Sequence, residues 1–461
     1  MVADQQNKIL ISEQATAITD DRREAPESRR PLVSALPFRL GQTTRQTSML
    51  FSAQGGAMFF GLLASLILGR MEPAEMGRFA FCLTVAVISS VFFEFGVSSA
   101  GARVLAAAHD RESERQALGA LLVITLAIAV VFTVFLIAAA TPLDWIFKKD
   151  IRWLLIATSA AAFFQPFQLF IEQGCQGLNQ IRRLSVFHLL TSGCYLAALA
   201  AMAAADRLTA GTALTAYFAG IAVASIWTLV LMRPSFKGVS HYIKLTINET
   251  RSYGLNIYVA RLSGMASSRS DQLAIAYFST GSAPLGMYAI AQKFSNPIAM
   301  LGSSLATTRF REFGRLSSVP REITRWSAAM LIAASVALVA VGPFVLKLVF
   351  PKYTAATPLL VPFAVMNLFV GLFQPYNIFL AAHGRGAELR NIVLVVGAAS
   401  VVALVAIVPR FGLAGAAWTA AAGMALDYVL HLYYYRKFKR TITEAFGERG
   451  QKPSPVGVDV S

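Results

Sequence analysis

Charge is scarce in this chain. Asp, Glu, Lys and Arg make up only 14% of its 461 residues, against about 25% in soluble proteins. An ordinary soluble enzyme of this length could not keep dry the 56% of residues that are apolar, so that class is excluded, and so is a disordered chain. Cysteine is nearly missing. Cys82, Cys175 and Cys194 all lie in apolar stretches and read as small core residues, which excludes a disulfide scaffold. Acid is short relative to base, 25 residues against 41, leaving a formal charge of +16. The sequence holds no P-loop, no HExxH, no CxxC pair and no Gly-rich phosphate cradle. No enzyme chemistry, metal or cofactor is implied.

Long apolar runs are what the chain has in quantity. About twelve reach the roughly twenty residues that a helix needs to cross a bilayer: 48–69, 79–100, 117–140, 152–173, 185–205, 212–232, 254–280, 285–308, 327–350, 356–382, 391–408 and 412–434. Pro, Gly and charge mark the breaks, as in the segments 70–75 and 350–353. The expected fold is an all-α integral membrane protein. Residues 1–47 have no apolar core of a signal peptide and read as a polar, disordered cytoplasmic tail. With both termini cytoplasmic, that side collects roughly three times the Lys and Arg of the other, the positive-inside signature. The run 436–440 and the cluster Arg309, Arg311, Arg315, Arg321 and Arg325 then serve topology and anionic lipid headgroups, not nucleic acid.

The chain also repeats. Residues 164–170, Phe-Gln-Pro-Phe-Gln-Leu-Phe, match 373–379, Phe-Gln-Pro-Tyr-Asn-Ile-Phe, at an offset of 209. At the same offset Gly77-Arg-Phe-Ala80 matches Gly286-Met-Tyr-Ala289. Two six-helix lobes follow, 48–232 and 251–435, joined by a cytoplasmic linker at 233–250 and followed by a basic cytoplasmic tail at 436–461. An even number of spans per lobe gives both the same orientation, hence a pseudo-twofold axis along the membrane normal and a central cavity.

Ionisable groups inside spans each cost about 2.5–3.5 kcal/mol on insertion scales and need a reason. In the seventh span Arg261, Ser268 and Gln272 form one stripe at 100° per residue, flanked by Gly264, Asp271 and Arg269. In the eighth, Tyr288, Gln292, Asn296 and Ser303 share a face, with Lys293 beside it and Pro297 able to kink the helix. Cations at that depth suit an anionic group, and arginine holds phosphate bidentately. Arg261, Lys293 and Arg269 are therefore candidate diphosphate ligands; the competing reading pairs Arg269 or Arg261 with Asp271 as a structural ion pair. In the fourth span Gln165, Gln168 and Glu172 lie on one face beside Pro166. Amides both donate and accept, so Gln165, Gln168, Gln292, Asn296 and Gln272 are candidate sugar ligands, or else helix–helix glue. Glu94 and Glu172 are the ion-coupling candidates, with a pair between Glu94 and Arg103 or Lys293 as the alternative. Asp427, near His431, reads as an interfacial anchor.

Several segments resemble a known family. Asp271-Gln-Leu-Ala-Ile-Ala-Tyr-Phe278, followed by Gly286-Met-Tyr-Ala-Ile-Ala-Gln-Lys293, resembles the span seven–eight signature of Wzx-type polysaccharide flippases. These belong to the multidrug/oligosaccharidyl-lipid/polysaccharide exporter superfamily. Residues 73–80, 95–100 and 350–356 resemble that family's first outer loop, second-span end and loop before span ten. The resemblance implies a V-shaped, two-lobed bundle in the cell inner membrane. Its implied substrate is a polyprenyl-diphosphate-linked oligosaccharide, the repeat unit of an O-antigen, lipopolysaccharide or exopolysaccharide, moved from inner to outer leaflet by alternating access. Membrane lipids, and a glycan polymerase with its export machinery, would be its partners. The rival within the superfamily is an ion-coupled multidrug and toxin extrusion antiporter, whose cationic substrates would favour a cavity lined with carboxylates.

Overall fold

The computed structural model describes residues 42–307, 313, 316 and 318–447, and every regular element among them is helical. The tail residues 1–41 and 448–461 and the arginines Arg309, Arg311 and Arg315 lie outside the described residues.

Each apolar stretch of the sequence falls on helix, but two break in mid-course. After α1 (Gln42–Leu68), α2 (Pro73–Phe92) opens with proline at its first position, where a missing N–H costs nothing. The stretch 79–100 then breaks, because Phe95 and Gly96 take left-handed backbone angles, φ 49° and 79°, before α3 (Val97–Ala106) begins. Glu94 holds this break in place: its carboxylate accepts the backbone N–H groups of Gly96 (2.9 Å) and Ser98 (2.5 Å), satisfying donors that a helix start leaves open. Next comes α4 (Arg111–Phe147), capped by the Asp110 carboxylate on the Ser113 N–H at 2.7 Å. The stretch 152–173 divides into α5 (Arg152–Ala162) and α6 (Gln165–Gly177) at Phe163-Phe164, next to Pro166 in the first turn of α6.

The first half closes with α7 (Ile181–Ala204) and α8 (Ala210–Met232), the latter begun by a reciprocal Thr209–Thr212 capping box. A short α9 (Val239–Glu249) and a π-helical turn over Thr250–Gly254 lead into α10 (Leu255–Phe278) and α11 (Ala283–Thr307). Then follow α12 (Arg321–Val349), a 3₁₀ segment Pro351–Leu359, α13 (Leu360–Ala382) and α14 (Gly386–Gly447). α14 turns at Gly412, whose φ of 55° and ψ of −136° only glycine adopts readily.

Eight helices among the described residues are long and apolar enough to cross a membrane by length and composition. One of them, Gly386–Arg440, contains the last two apolar stretches on either side of Gly412. Apolar side chains such as Val134, Val230, Phe344 and Val402 stand exposed on these helices, an arrangement stable in lipid and not in water. This is a multi-pass membrane protein. α10 and α11 are not among the eight, since they carry the polar stripes.

The two sequence repeats meet on α2 and α11. A Cβ added to Gly77 would lie 1.8 Å from the Ser282 carbonyl oxygen, and one added to Gly286 would lie 2.0 Å from that of Pro73, so the backbones touch where only glycine fits. One apolar cluster draws on both halves, with Phe79, Phe81, Phe132 and Phe218 beside Tyr288, Tyr353 and Phe363. Beside the Gly77–Gly286 crossing, Tyr353 donates to the Met71 carbonyl at 3.0 Å. At the other end of α2 and α10 the halves meet again. There Gly96 packs on Gly254, Arg103 pairs with Glu249 at 2.7 Å, and the Arg103 guanidinium covers the Tyr253 ring.

Candidate functional site

Burial leaves polar side chains inside a helical bundle two options: find each other or face a cavity. Several on α10 and α11 find each other. Gln272 accepts a hydrogen bond from the Thr84 hydroxyl of α2 and donates to the Gln292 carbonyl oxygen at 3.1 Å. This chain of amides and hydroxyl joins α2, α10 and α11 and occupies two of the candidate sugar ligands. Asp271 accepts from the Tyr288 hydroxyl at 2.6 Å and from the Gln272 N–H at 2.7 Å. Among the described residues it makes no ion pair, so the expected pairing with Arg261 or Arg269 is replaced by a phenol.

Arg261 takes a different partner. Its guanidinium lies 3.5 Å from the Glu94 carboxylate and donates to Ser99 at 3.2 Å. The sequence offered Arg103 or Lys293 as partners for Glu94. The structure gives it Arg261, because Arg103 is held by Glu249. One diphosphate candidate and one ion-coupling candidate are therefore bound to each other, at the helix break that Glu94 also caps.

Arg269 and Lys293 remain. Neither forms a hydrogen bond or ion pair with any described residue. Lys293 sits with its ammonium 5.8 Å from the Phe79 ring, a weak cation–π contact. The Arg269 charge acts on Lys293, on Asp271 and, in the first half of the chain, on Tyr217. Glu172 of α6 acts on Tyr217 too. On α6 a ladder runs from Gln165 to Gln168 (3.5 Å) and from Gln168 to Glu172 (3.1 Å). It leaves the buried Gln165 carbonyl oxygen without a partner. Tyr195, stacked edge-on against Tyr217 at 5.5 Å, likewise buries a hydroxyl with no partner. Asn296, one turn beyond Gln292, is exposed.

Two cations without an ion pair among the described residues, an amide ladder ending in a carboxylate and two phenols are thus the polar groups that the two halves leave open. Such a set can bind an anion and exchange hydrogen bonds with hydroxyls. Tyr195 and Tyr217 were missed by face counting, because each stands alone in an apolar span; only their pairing in space marks them. Asp427, expected at the interface, is buried and lies 3.1 Å from the His431 ring, which stacks on Phe373.

Solved structures with this fold are membrane transporters. An inward-facing multidrug resistance MATE family transporter of the MOP superfamily aligns with a TM-score of 0.69 at 13% identity, over 84% of this chain and 96% of that one. The lipid II flippase MurJ, in an inward closed conformation, aligns with a TM-score of 0.62 at 11% identity, over 88% and 94%. The Vibrio cholerae MATE transporter VcmN, in its bent form, gives 0.54 at 15% identity, over 87% and 99%. No curated protein matches the chain. The model of the polysaccharide biosynthesis protein family matches residues 43–310, more than half of the sequence, and the chain belongs to that family.

Proposed function

We propose that this protein is a flippase that carries a polyprenyl-diphosphate-linked oligosaccharide across the inner membrane by alternating access. The observation that carries the reading is the pair Arg269 and Lys293, two cations within the helical bundle and without a carboxylate partner. Leaving charge unpaired at that depth is expensive, and a diphosphate supplies the missing partner, most strongly through the planar guanidinium. The unpartnered Gln165 carbonyl oxygen and the exposed Asn296 can meet sugar hydroxyls; Gln168 would have to leave Glu172, and the Gln272–Gln292 bridge would have to open, to do so. The lobes are 48–232 and 251–435, twelve spans in all with both termini inside, and the polyprenyl tail stays in lipid while the sugar crosses. Glu172 is the better placed of the two ion-coupling candidates, because Glu94 is committed to Arg261 and to backbone N–H groups. A glycan polymerase and export machinery acting on the outer leaflet would consume the product.

The superfamily fold fits an ion-coupled drug antiporter equally well. Against that reading stands the sign of the free charge, since a cavity for cationic drugs would place unpaired carboxylates where Arg269 and Lys293 are.

A deletion strain lacking any redundant flippase should lose surface glycan and accumulate the lipid-linked unit in the inner leaflet. Arg269→Ala or Lys293→Ala should do the same at unchanged protein level. Normal surface glycan in the deletion strain would refute the reading. Cation-drug sensitivity with intact glycan would favour the antiporter instead.

A further inference from the structure

We infer that Lys149 and Lys352 form a two-part latch that holds one end of the bundle closed, and that this end opens only when both let go. The inference rests on the alternating-access reading only for the consequence that a substrate leaves there.

Each lysine reaches from one half of the chain to the other. Lys149 lies two residues past the end of α4, and its ammonium donates to the carbonyl oxygens of Ser279 (2.6 Å) and Gly281 (2.5 Å), in the loop between α10 and α11. Lys352 lies three residues past the end of α12, and its ammonium meets the Arg70 carbonyl (3.3 Å) and the Glu72 carboxylate (2.6 Å), in the loop between α1 and α2. Residues 279 and 281 are residues 70 and 72 moved by 209, the offset of the sequence repeat. The two lysines, 203 residues apart, therefore reach equivalent loop positions with the halves exchanged, Lys149 through two backbone carbonyls and Lys352 through one carbonyl and the Glu72 carboxylate.

The glycine crossing beside them obeys the same exchange. Gly77 packs on Ser282, and Gly286 packs on Pro73; 282 is 73 moved by 209, and 286 is 77 moved by 209. Contacts that map onto each other in this way surround a local twofold axis, as in a symmetric dimer interface. The axis passes between α2 and α11, with one lysine on each side. Separating the halves at this end must stretch both arms. Ser282 adds a hydrogen bond back to the Lys149 carbonyl at 3.3 Å, so the loops at 149 and 279–282 are tied in both directions.

The arms differ in their surroundings. Lys149 is 2% exposed and meets only carbonyl and hydroxyl oxygens. Burial lowers its proton affinity below the ordinary lysine value. Removing its side chain takes away two short hydrogen bonds made by a buried ammonium, and bonds to a charged group are the stronger kind. Lys352 and Glu72 are both well exposed, so their attraction is weak and screened by salt. Lys149 is the strong arm, insensitive to salt, and Lys352 the weak arm, sensitive to it.

The test is pulsed electron spin resonance on the full chain in lipid nanodiscs, with spin labels at Asp150→Cys and Thr280→Cys in a background without the native cysteines. The parent should give one short distance. Lys352→Met alone should add a minor long-distance population, a few-fold above background. Lys149→Met should raise the open fraction roughly tenfold, and the double variant should be mostly open. Lys149→Arg, which still donates, should stay closed. Raising salt should open the Lys149→Met variant further and leave Lys352→Met unchanged. A double variant with the parent's distances overturns the latch. Should Lys149→Met fail to fold, Lys352→Met decides instead: a distribution identical to the parent's overturns the Lys352 arm, and a long-distance population that grows with salt in Lys352→Met overturns its assignment as the salt-sensitive one. The labels report without substrate: distances that move in a protein with no glycan phenotype sink the flippase reading and leave the latch standing.

Discussion

Replacing Glu94 by alanine separates two roles that this carboxylate could have. It is buried, caps the break between α2 and α3 through two backbone N–H groups, and faces Arg261 at 3.5 Å. Breaking a buried ion pair by removing one partner costs about 3–5 kcal/mol. The Arg261 side chain is 23% exposed, so water can rehydrate it in part, and the low end, about 3 kcal/mol, applies to Glu94→Ala. Arg261→Ala removes the pair but leaves Glu94 its two N–H donors, and should cost about 2 kcal/mol. If the pair is the link, the double variant is barely worse than Glu94→Ala alone. The coupling energy of the cycle is then about 1.5 kcal/mol. The assay is denaturant unfolding in mixed micelles, followed by the fluorescence of the five tryptophans. Additivity within about 0.5 kcal/mol would refute the structural pair. A Glu94→Gln variant that keeps its stability but loses all pH dependence of transport would return Glu94 to ion coupling.

Three other outcomes follow from particular contacts. Gly77→Ala should force α2 and α11 apart, because its Cβ would sit 1.8 Å from a backbone oxygen that cannot give way. Overpacking of about 1–3 kcal/mol shifts the conformational balance roughly 5- to 150-fold, readable as a gain in thiol labelling between these helices; unchanged labelling would contradict the crossing. Tyr353→Phe should cost about 1 kcal/mol, by leaving the Met71 carbonyl without its donor, and a thermal scan indistinguishable from the parent would count against that bond. The hydrogen bonds from Ser113 hold the Asp110 carboxyl below its ordinary value of 3.8. The cap is therefore present above that pH and is lost as pH falls through the lowered value. Amide exchange at the start of α4 should quicken over that window in the parent and show no such step in Asp110→Ala.

Helix, span and repeat were legible because each is written in local pattern. Length of apolar run found the helical stretches, eight of them long and apolar enough to cross a membrane, and the shared 209 offset of Phe-Gln-Pro and of Gly77/Gly286 marked a repeat without saying which helices meet. The break at Phe163-Phe164 was signalled by Pro166. The break at Phe95-Gly96 was not, because a lone glycine in an apolar run is compatible with continuous helix. Partners were the least legible. Face counting put Arg261 on a polar stripe, but its carboxylate is 167 residues away, in the turn between α2 and α3 whose course depends on that same break. Tyr288 was counted as part of a stripe, yet its hydroxyl is the partner of Asp271. The sequence holds the chemistry of each side chain; which two meet depends on how separate helices turn against one another.

The glycine crossing has a bearing on how such a chain could arise. A contact in which 77 touches 282 and 286 touches 73 needs only one set of instructions, since two identical half-length chains side by side would form it unaided. Fusion of two copies of a gene would then add no new interface, only a tether. After fusion the copies could diverge everywhere except at that shared seam, where a side chain gained by one would collide with the other. That freedom is visible in the cations: Arg269 and Lys293 belong to the second half alone, while the seam is still glycine on both sides.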